Sequence, residues 1–407
     1  MKSSIESPLA IHGGQPVRSQ LLPYGKQWIT PEDEAVVHAA LQSDYLTTGP
    51  SVEAFEKALA EKAGAAYAVS VSNGTAALHA ACHAAGIGPG DEVITTPITF
   101  AASANAVLYQ GGTPVFADID PLTWNIDPTA IEKAITPRTK AIIPVDFTGQ
   151  PANMEAIMAI AEKHGLIVIE DAAHSLGGSW KGTPVGCLAH MTTCSFHPVK
   201  LITTGEGGAV VTSDAQLAEK LRLFRSHGIT KAAEQSGTGE GLEEAHGPWY
   251  QAQRLLGYNY RLTDLQSALG ISQLKKIHLF LERRQQLAAF YQQAFSPLEA
   301  LQLPHLSPEA ISAWHLYVIR LRGKNTMDRR RWFFDALRAE NIGVNVHYLP
   351  VYWHPYYQQL GYQKGICPQA EAYYESCITL PLYPAMSDED ASDVVTAVKK
   401  VMAYEGK

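Results

Sequence analysis

The chain reads as an α/β protein, with a mostly parallel seven-stranded sheet covered by helices and a smaller C-terminal α+β domain. Three observations predict this. From Tyr67 to about Ser213, short and near-continuous apolar runs alternate with helical stretches, the pattern of strands buried on both faces. Composition then shifts in Lys231–Gly247, which is rich in Gly, Glu and Ser. The length of 407 residues, with 46% hydrophobic and 18% charged, excludes dominant disorder and suits two domains.

The elements follow in order. The first 20 residues, with Gly13, Gly14 and Pro16, read as an extended arm that precedes the ordered helices. Ser51 is the expected N-cap of a helix in which Val52, Phe55, Leu59 and Ala63 share one face and Gly64 ends the run. Glu53 and Lys57 form an i, i+4 pair on its wet side. Strands are expected at Tyr67–Val71, Glu92–Thr96, Pro114–Asp118, Lys140–Val145, Leu166–Glu170, Thr192–Phe196 and Gly208–Thr212. Helices intervene, such as Thr75–Ala85 closed by Gly86, and the Met154, Ile157, Met158, Ala161 pattern closed by Gly165. Lys231–Gly247 reads as an exposed loop. Beyond it come one long helical pattern over Leu262–Phe295, strands at His315–Leu321 and Val344–Tyr348, and helices at Met327–Ala339 and Asp388–Met402. The expected division is an arm (1–25), a large domain (26–256) and a small domain (257–407).

The charge balance narrows the function. Thirty-two basic residues against 40 acidic give a net charge of −8, and no basic stretch marks a nucleic-acid binder. No apolar run approaches the roughly 20 residues of a membrane span. Lys2 is followed by no apolar signal segment, so a cytoplasmic location is expected. The five cysteines are widely spaced and lack C-x-x-C, which reads as reduced thiols without a metal site.

Ligands of such sheets sit outside the carboxyl ends of the strands, and three segments place chemistry there. In Ser72-Asn73-Gly74-Thr75 a strand runs straight into a helix. Helix N-termini present unpaired N–H groups to anions, and Gly74 permits close approach. An ordinary capped turn is the competing reading. In Glu170-Asp171-Ala172-Ala173-His174, a buried strand delivers Asp171 to the sheet edge, where an acid needs a cationic partner such as a protonated pyridine nitrogen. A helix-capping Asp and a scaffold His are the alternatives. In Ser195-Phe196-His197-Pro198-Val199-Lys200, followed by Thr203-Thr204-Gly205-Glu206-Gly207-Gly208, a lysine sits among flexible residues. Confinement would lower its pKa and allow a Schiff base; a surface lysine is the alternative. Together, an anion cradle, an acid for a ring nitrogen and a Schiff-base lysine are what pyridoxal 5′-phosphate (PLP) requires.

These stretches resemble fold-type I, aspartate-aminotransferase-like PLP enzymes and, within them, the DegT/DnrJ/EryC1/StrS family of sugar aminotransferases. Gly88–Thr96, Arg225–Gly228, Gly257–Arg261 and Ala268–Leu274 strengthen the likeness, which covers most of the chain from Leu22 onward. The resemblance implies roles by position. Lys200 would be the Schiff-base lysine and proton shuttle, and Asp171 the partner of the ring nitrogen. His174 would lie near the phenolic oxygen, and Phe100 would stack on the ring. Gly74, Thr75 and Ser195 would hold the phosphate, with Asn259 reaching the phosphate of a partner subunit in a homodimer.

The stretch Gly343–Tyr357, which holds the aromatic run His347–Tyr357, is similar, with Leu22–Ile29 and Pro97–Ala106, to the family members that make pseudaminic acid precursors. It implies a UDP-linked 4-keto-6-deoxy-2-acetamido sugar as substrate and L-glutamate as amino donor, with Tyr24, Arg261, His347 and Tyr348 as candidate substrate contacts. Core packing or a dimer contact explains any one of these rings at least as well. Asp146 stands where many relatives carry His. A dTDP- or GDP-linked ketosugar is the alternative substrate. A sugar dehydratase would have His at position 200, a non-catalytic regulator would not need Lys200, Asp171 and Ser195 together, and a Rossmann protein would show its glycine fingerprint.

Overall fold

The structure, a computed structural model, describes residues 8–231, 247 and 249–405. Its main sheet comprises β1 (Tyr67–Val71), β2 (Glu92–Thr95), β3 (Thr113–Phe116), β4 (Thr139–Ile143), β5 (Ile167–Asp171), β6 (Met191–Ser195) and β7 (Gly208–Thr212), in the order β1-β7-β6-β5-β4-β2-β3. β7 pairs antiparallel with β1 and β6, and the other pairings are parallel. Six strands therefore end at one edge, and β7 starts there, with Gly208 opposite both Val71 and Ser195.

Both faces are filled. Val69, Val71, Ile143, Ile169 and Val210 pack under the helix Gly74–Ala84, which lays an alanine-rich stripe on the sheet. Phe55, Leu59, Ala68, Phe196 and Val211 build a further core on the helix Pro50–Ala63. Leu262, Leu274, Ile277 and Phe280 join that cluster. Leu287 and later residues of the same helix instead pack in the C-terminal core with Tyr317, Phe333 and Val398. The two cores part within Ile277–Phe295, downstream of residue 257, where the small domain is expected to begin.

Five local expectations need correction. The helix Pro50–Ala63 starts one residue before Ser51, with Pro50 at its first position and Gly49 as cap, because proline needs no N–H partner there. The single helix expected over Leu262–Phe295 is two, Asp264–Lys275 and Ile277–Phe295, broken at Lys276. Val344–Tyr348 is not a strand: it holds only an isolated bridge between Asn345 and Thr379, and the His347–Tyr348 peptide is cis. The strand expected at His315 begins at Tyr317, since Trp314 takes a left-handed φ of 50°. The arm is not simply extended. Ala10–His12 form a 3₁₀ turn, and Leu9 and Leu22 are buried in the C-terminal core. Glu340 fixes this arm by accepting from the Ala10 and Val17 N–H groups, each at 2.9 Å. Most of the loop expected at Lys231–Gly247 lies outside the described residues. Among those described, no helix is long and apolar enough to cross a membrane.

Candidate active site

The site is assembled at the shared strand edge. Asn73 caps the helix Gly74–Ala84, its Oδ1 accepting from the Ala76 N–H at 2.8 Å. Gly74 opens that helix, and a Cβ there would lie 2.9 Å from the Ser195 Cβ and 3.1 Å from its Oγ. The close approach demands glycine and puts the Ser195 hydroxyl against the first turn, where Thr75 is half-buried. Free first-turn amides beside hydroxyls form an anion cradle.

Asp171 ends β5 and is 5% exposed. Its Oδ2 accepts from Ser103 Oγ at 2.7 Å and its Oδ1 from the Ala173 N–H at 3.2 Å. Burial pushes its carboxyl above the usual range, while those bonds and the Lys200 charge pull it back. Lys200 lies in the loop from β6 to β7. Burial lowers its ammonium to about 8, opposed in part by Asp171, so a nucleophilic amine is available near neutrality.

Imidazoles and phenols form the wall. His174 Nε2 is 3.4 Å from the Tyr348 hydroxyl, and His174 Nδ1 is buried with no partner among the described residues. The His347 ring nitrogen Nδ1 sits 2.8 Å from Thr379 Oγ1, and Tyr24 packs 5.4 Å from the His347 ring. Phe100 is 64% exposed at the rim, its centroid 6.4 Å from that of Tyr348. Burial holds His174 far below its ordinary range, with the Lys200 charge acting the same way. His347 is driven down to about 3 by burial, then by Lys200. Both rings are therefore neutral.

The structure thus gathers Lys200, Asp171, His174, His347, Tyr348, Tyr24 and Phe100, with Gly74, Thr75 and Ser195 on the same edge. Asn259 and Arg261 stand apart. Asn259 is exposed and bridges to Ser226, and Arg261 is half-buried. Their segment still borders the cradle, because the Tyr260 carbonyl accepts from the Ser72 N–H at 2.7 Å.

Sequence reasoning missed two residues. Ser103, itself 2.8 Å from Thr99 Oγ1, carries no motif that announces a bond to Asp171. His315 packs 4.3 Å from the His174 ring. It is brought there because Ala313 and Leu316 donate to the Gly149 and Thr148 carbonyls at 2.9 and 3.1 Å. A Cβ on Gly149 would meet the Trp314 and His315 backbone nitrogens at 2.7 and 2.8 Å. A glycine with φ of 110° after a strand was the one available signal.

These residues fit PLP. The Gly74–Ser195 cradle suits a phosphate, Asp171 a ring N–H, the lowered Lys200 amine a carbonyl, and the unpartnered His174 Nδ1 a polar ring substituent.

Comparison with known proteins agrees. The DegT/DnrJ/EryC1/StrS aminotransferase family matches residues 27–399. The spore coat polysaccharide biosynthesis protein SpsC of Bacillus subtilis is 44% identical over 387 residues, 95% of this chain and 98% of SpsC. Helicobacter pylori PseC, an aminotransferase involved in the biosynthesis of pseudoaminic acid, has a TM-score of 0.87 and 34% identity, covering 95% of this chain and 100% of that one. The putative sugar aminotransferase Spr1654 from Streptococcus pneumoniae, in its PMP form, has a TM-score of 0.88 and 30% identity, covering 94% and 99%. Spr1654 is also known in a PLP form.

Proposed function

The chain belongs to the DegT/DnrJ/EryC1/StrS aminotransferase family and is a PLP-dependent sugar aminotransferase; on that premise we propose that it aminates a UDP-linked 4-keto-6-deoxy-2-acetamido sugar at C4, with L-glutamate as donor. The observation that carries the substrate is the likeness to PseC over nearly the whole of both chains. It is supported by the wall of Tyr24, His347, Tyr348 and Phe100 beside Lys200, flat amphipathic surfaces suited to a sugar ring.

When bound, PLP supplies an electron sink through which an amine and a ketone exchange nitrogen. The chain's own residues do the rest. Gly74, Thr75 and Ser195 anchor the phosphate, and Asp171 holds the proton of the ring nitrogen. Lys200 Nζ takes up and returns a proton, a task suited to a group poised near neutral pH. Neutral His174 offers hydrogen bonds without competing for that proton, and the aromatic wall excludes water. Asn259, exposed on one protomer, serves the phosphate of a second copy, so the working unit is a homodimer.

The test is product analysis with L-glutamate and UDP-, dTDP- and GDP-linked 4-ketosugars. The expected result is 2-oxoglutarate formed together with the aminated UDP-sugar. Turnover confined to dTDP- or GDP-linked sugars would overturn the substrate assignment.

A further inference from the structure

Two carboxyl groups given no role so far lie behind Asp171. Asp146 follows β4 and Glu170 precedes Asp171 on β5, and both are 0% exposed. Their backbones are tied together. The Asp146 N–H donates to the Asp171 carbonyl at 3.1 Å, and the Asp171 N–H donates to the Pro144 carbonyl at 2.8 Å.

Counting donors distinguishes the two. Asp146 is satisfied as an anion: its Oδ1 accepts from the Ala152 N–H at 2.9 Å and its Oδ2 from the Ser175 hydroxyl. Glu170 is not. Its Oε2 accepts from the Thr192 hydroxyl at 2.8 Å, while its Oε1 is buried without a hydrogen-bonded donor among the described residues. The two carboxyls lie within hydrogen-bond reach of each other. Two buried carboxyls in hydrogen-bond reach with no cation beside them cannot both ionise at acceptable cost, whereas Asp171 has the Lys200 charge beside it; an oxygen with no donor is the natural seat of a proton. Asp171, Cys187 and Cys194 also face the pair and bring no positive charge, while the Gly186 N–H is directed at Glu170 and offsets only part of its burial.

We propose that Asp146 and Glu170 share one proton, carried on Glu170 Oε1, so that Asp146 holds a second negative charge behind Asp171. Asp146 is then a positioning residue: it acts through Asp171 to favour a protonated ring nitrogen. This rests on the reading that Asp171 faces that nitrogen. Burial presses both carboxyls toward their protonated forms, Glu170 the further, which is the same ordering.

Two variants test it. In the cofactor-free protein at neutral pH, infrared spectroscopy should show the C=O stretch of an un-ionised carboxyl, shifted in heavy water and absent from Glu170→Gln. In the PLP-loaded protein, Asp146→Asn should move the pH midpoint of the visible absorbance downward by roughly half a unit or more, as expected for loss of a nearby negative charge. Glu170→Gln keeps the charge on Asp146 and should leave that midpoint in place. A carboxyl band that survives in Glu170→Gln, or a midpoint unmoved in Asp146→Asn, overturns the proposal. If Asp146→Asn does not fold, the infrared result with Glu170→Gln decides. If the wild-type protein takes up no cofactor, the Asp171 reading fails while the infrared test still stands.

Discussion

Ser103 Oγ donates a 2.7 Å hydrogen bond to Asp171 Oδ2, joining residues 68 apart in sequence. Ser103 is 1% exposed and lies on the helix Ala102–Tyr109, so the acid at the sheet edge is held from a neighbouring element as well as by its own strand. Removing this donor leaves a buried carboxylate short of one charge-assisted bond, worth about 1.5–3 kcal/mol. Ser103→Ala should therefore weaken PLP retention by about 10- to 100-fold, with Ser103→Thr recovering part of it. Equilibrium binding of PLP to the cofactor-free protein checks this, and unchanged affinity would reduce Ser103 to a packing residue.

The cradle predicts a paired effect. Gly74→Ala would place a methyl 2.9 Å from the Ser195 Cβ, tighter than carbon atoms tolerate. The variant should fold and lose phosphate anchoring. Adding Ser195→Gly removes the clash and should restore binding beyond the level of either the Gly74→Ala or the Gly74→Ala/Ser195→Ala protein. Binding of inorganic phosphate and of PLP to the four proteins measures this.

Lys200 predicts a pH dependence of stability. Its folded pKa of about 8 lies below its ordinary 10.5. Between those values the unfolded chain binds the extra proton, so stability from this group rises with pH across that window and is at its lowest, constant level below about 8. Lys200→Met should stabilise the cofactor-free protein near pH 7 by about 1–3 kcal/mol and flatten that rise. Denaturant titrations from pH 7 to 10 give the comparison.

Arg284 is fully buried and has no carboxylate partner among the described residues. Its Nη1 donates to the Trp314, His315 and Leu382 carbonyls at 3.0, 3.1 and 2.9 Å. Burial alone lowers its pKa to about 9. Arg284→Leu strands these carbonyls, at about 1–3 kcal/mol for each one left unpaired. It should lower Tm sharply and disturb His315 beside His174. Arg284→Lys carries three N–H donors on a shorter side chain that does not reach the position of Nη1, and should recover only part of the loss.

Much of the fold was legible in the sequence because strand burial on both faces leaves uninterrupted apolar runs. Tyr67–Val71 and Gly208–Thr212 match the observed strands end to end. What local pattern does not encode is the sense of pairing, and β7 runs antiparallel to both of its neighbours. The helix break at Lys276 escaped because the apolar period continues across it. Val344–Tyr348 misled because its alternation of apolar and polar residues serves a wall rather than a ladder. At the candidate site, Lys200, Asp171 and Gly74 were expected from their places just beyond or at strand ends, and Ser195 from the family resemblance alone. Ser103 and His315 arrive through tertiary contacts that no nearby residue announces.

Borohydride reduction of the PLP-loaded protein, followed by mass spectrometry of its peptides, tests the central assignment most directly. The account predicts one reduced pyridoxyl adduct, on Lys200, absent from Lys200→Ala. An adduct on another lysine, or none at all from a protein that has bound PLP, would contradict it.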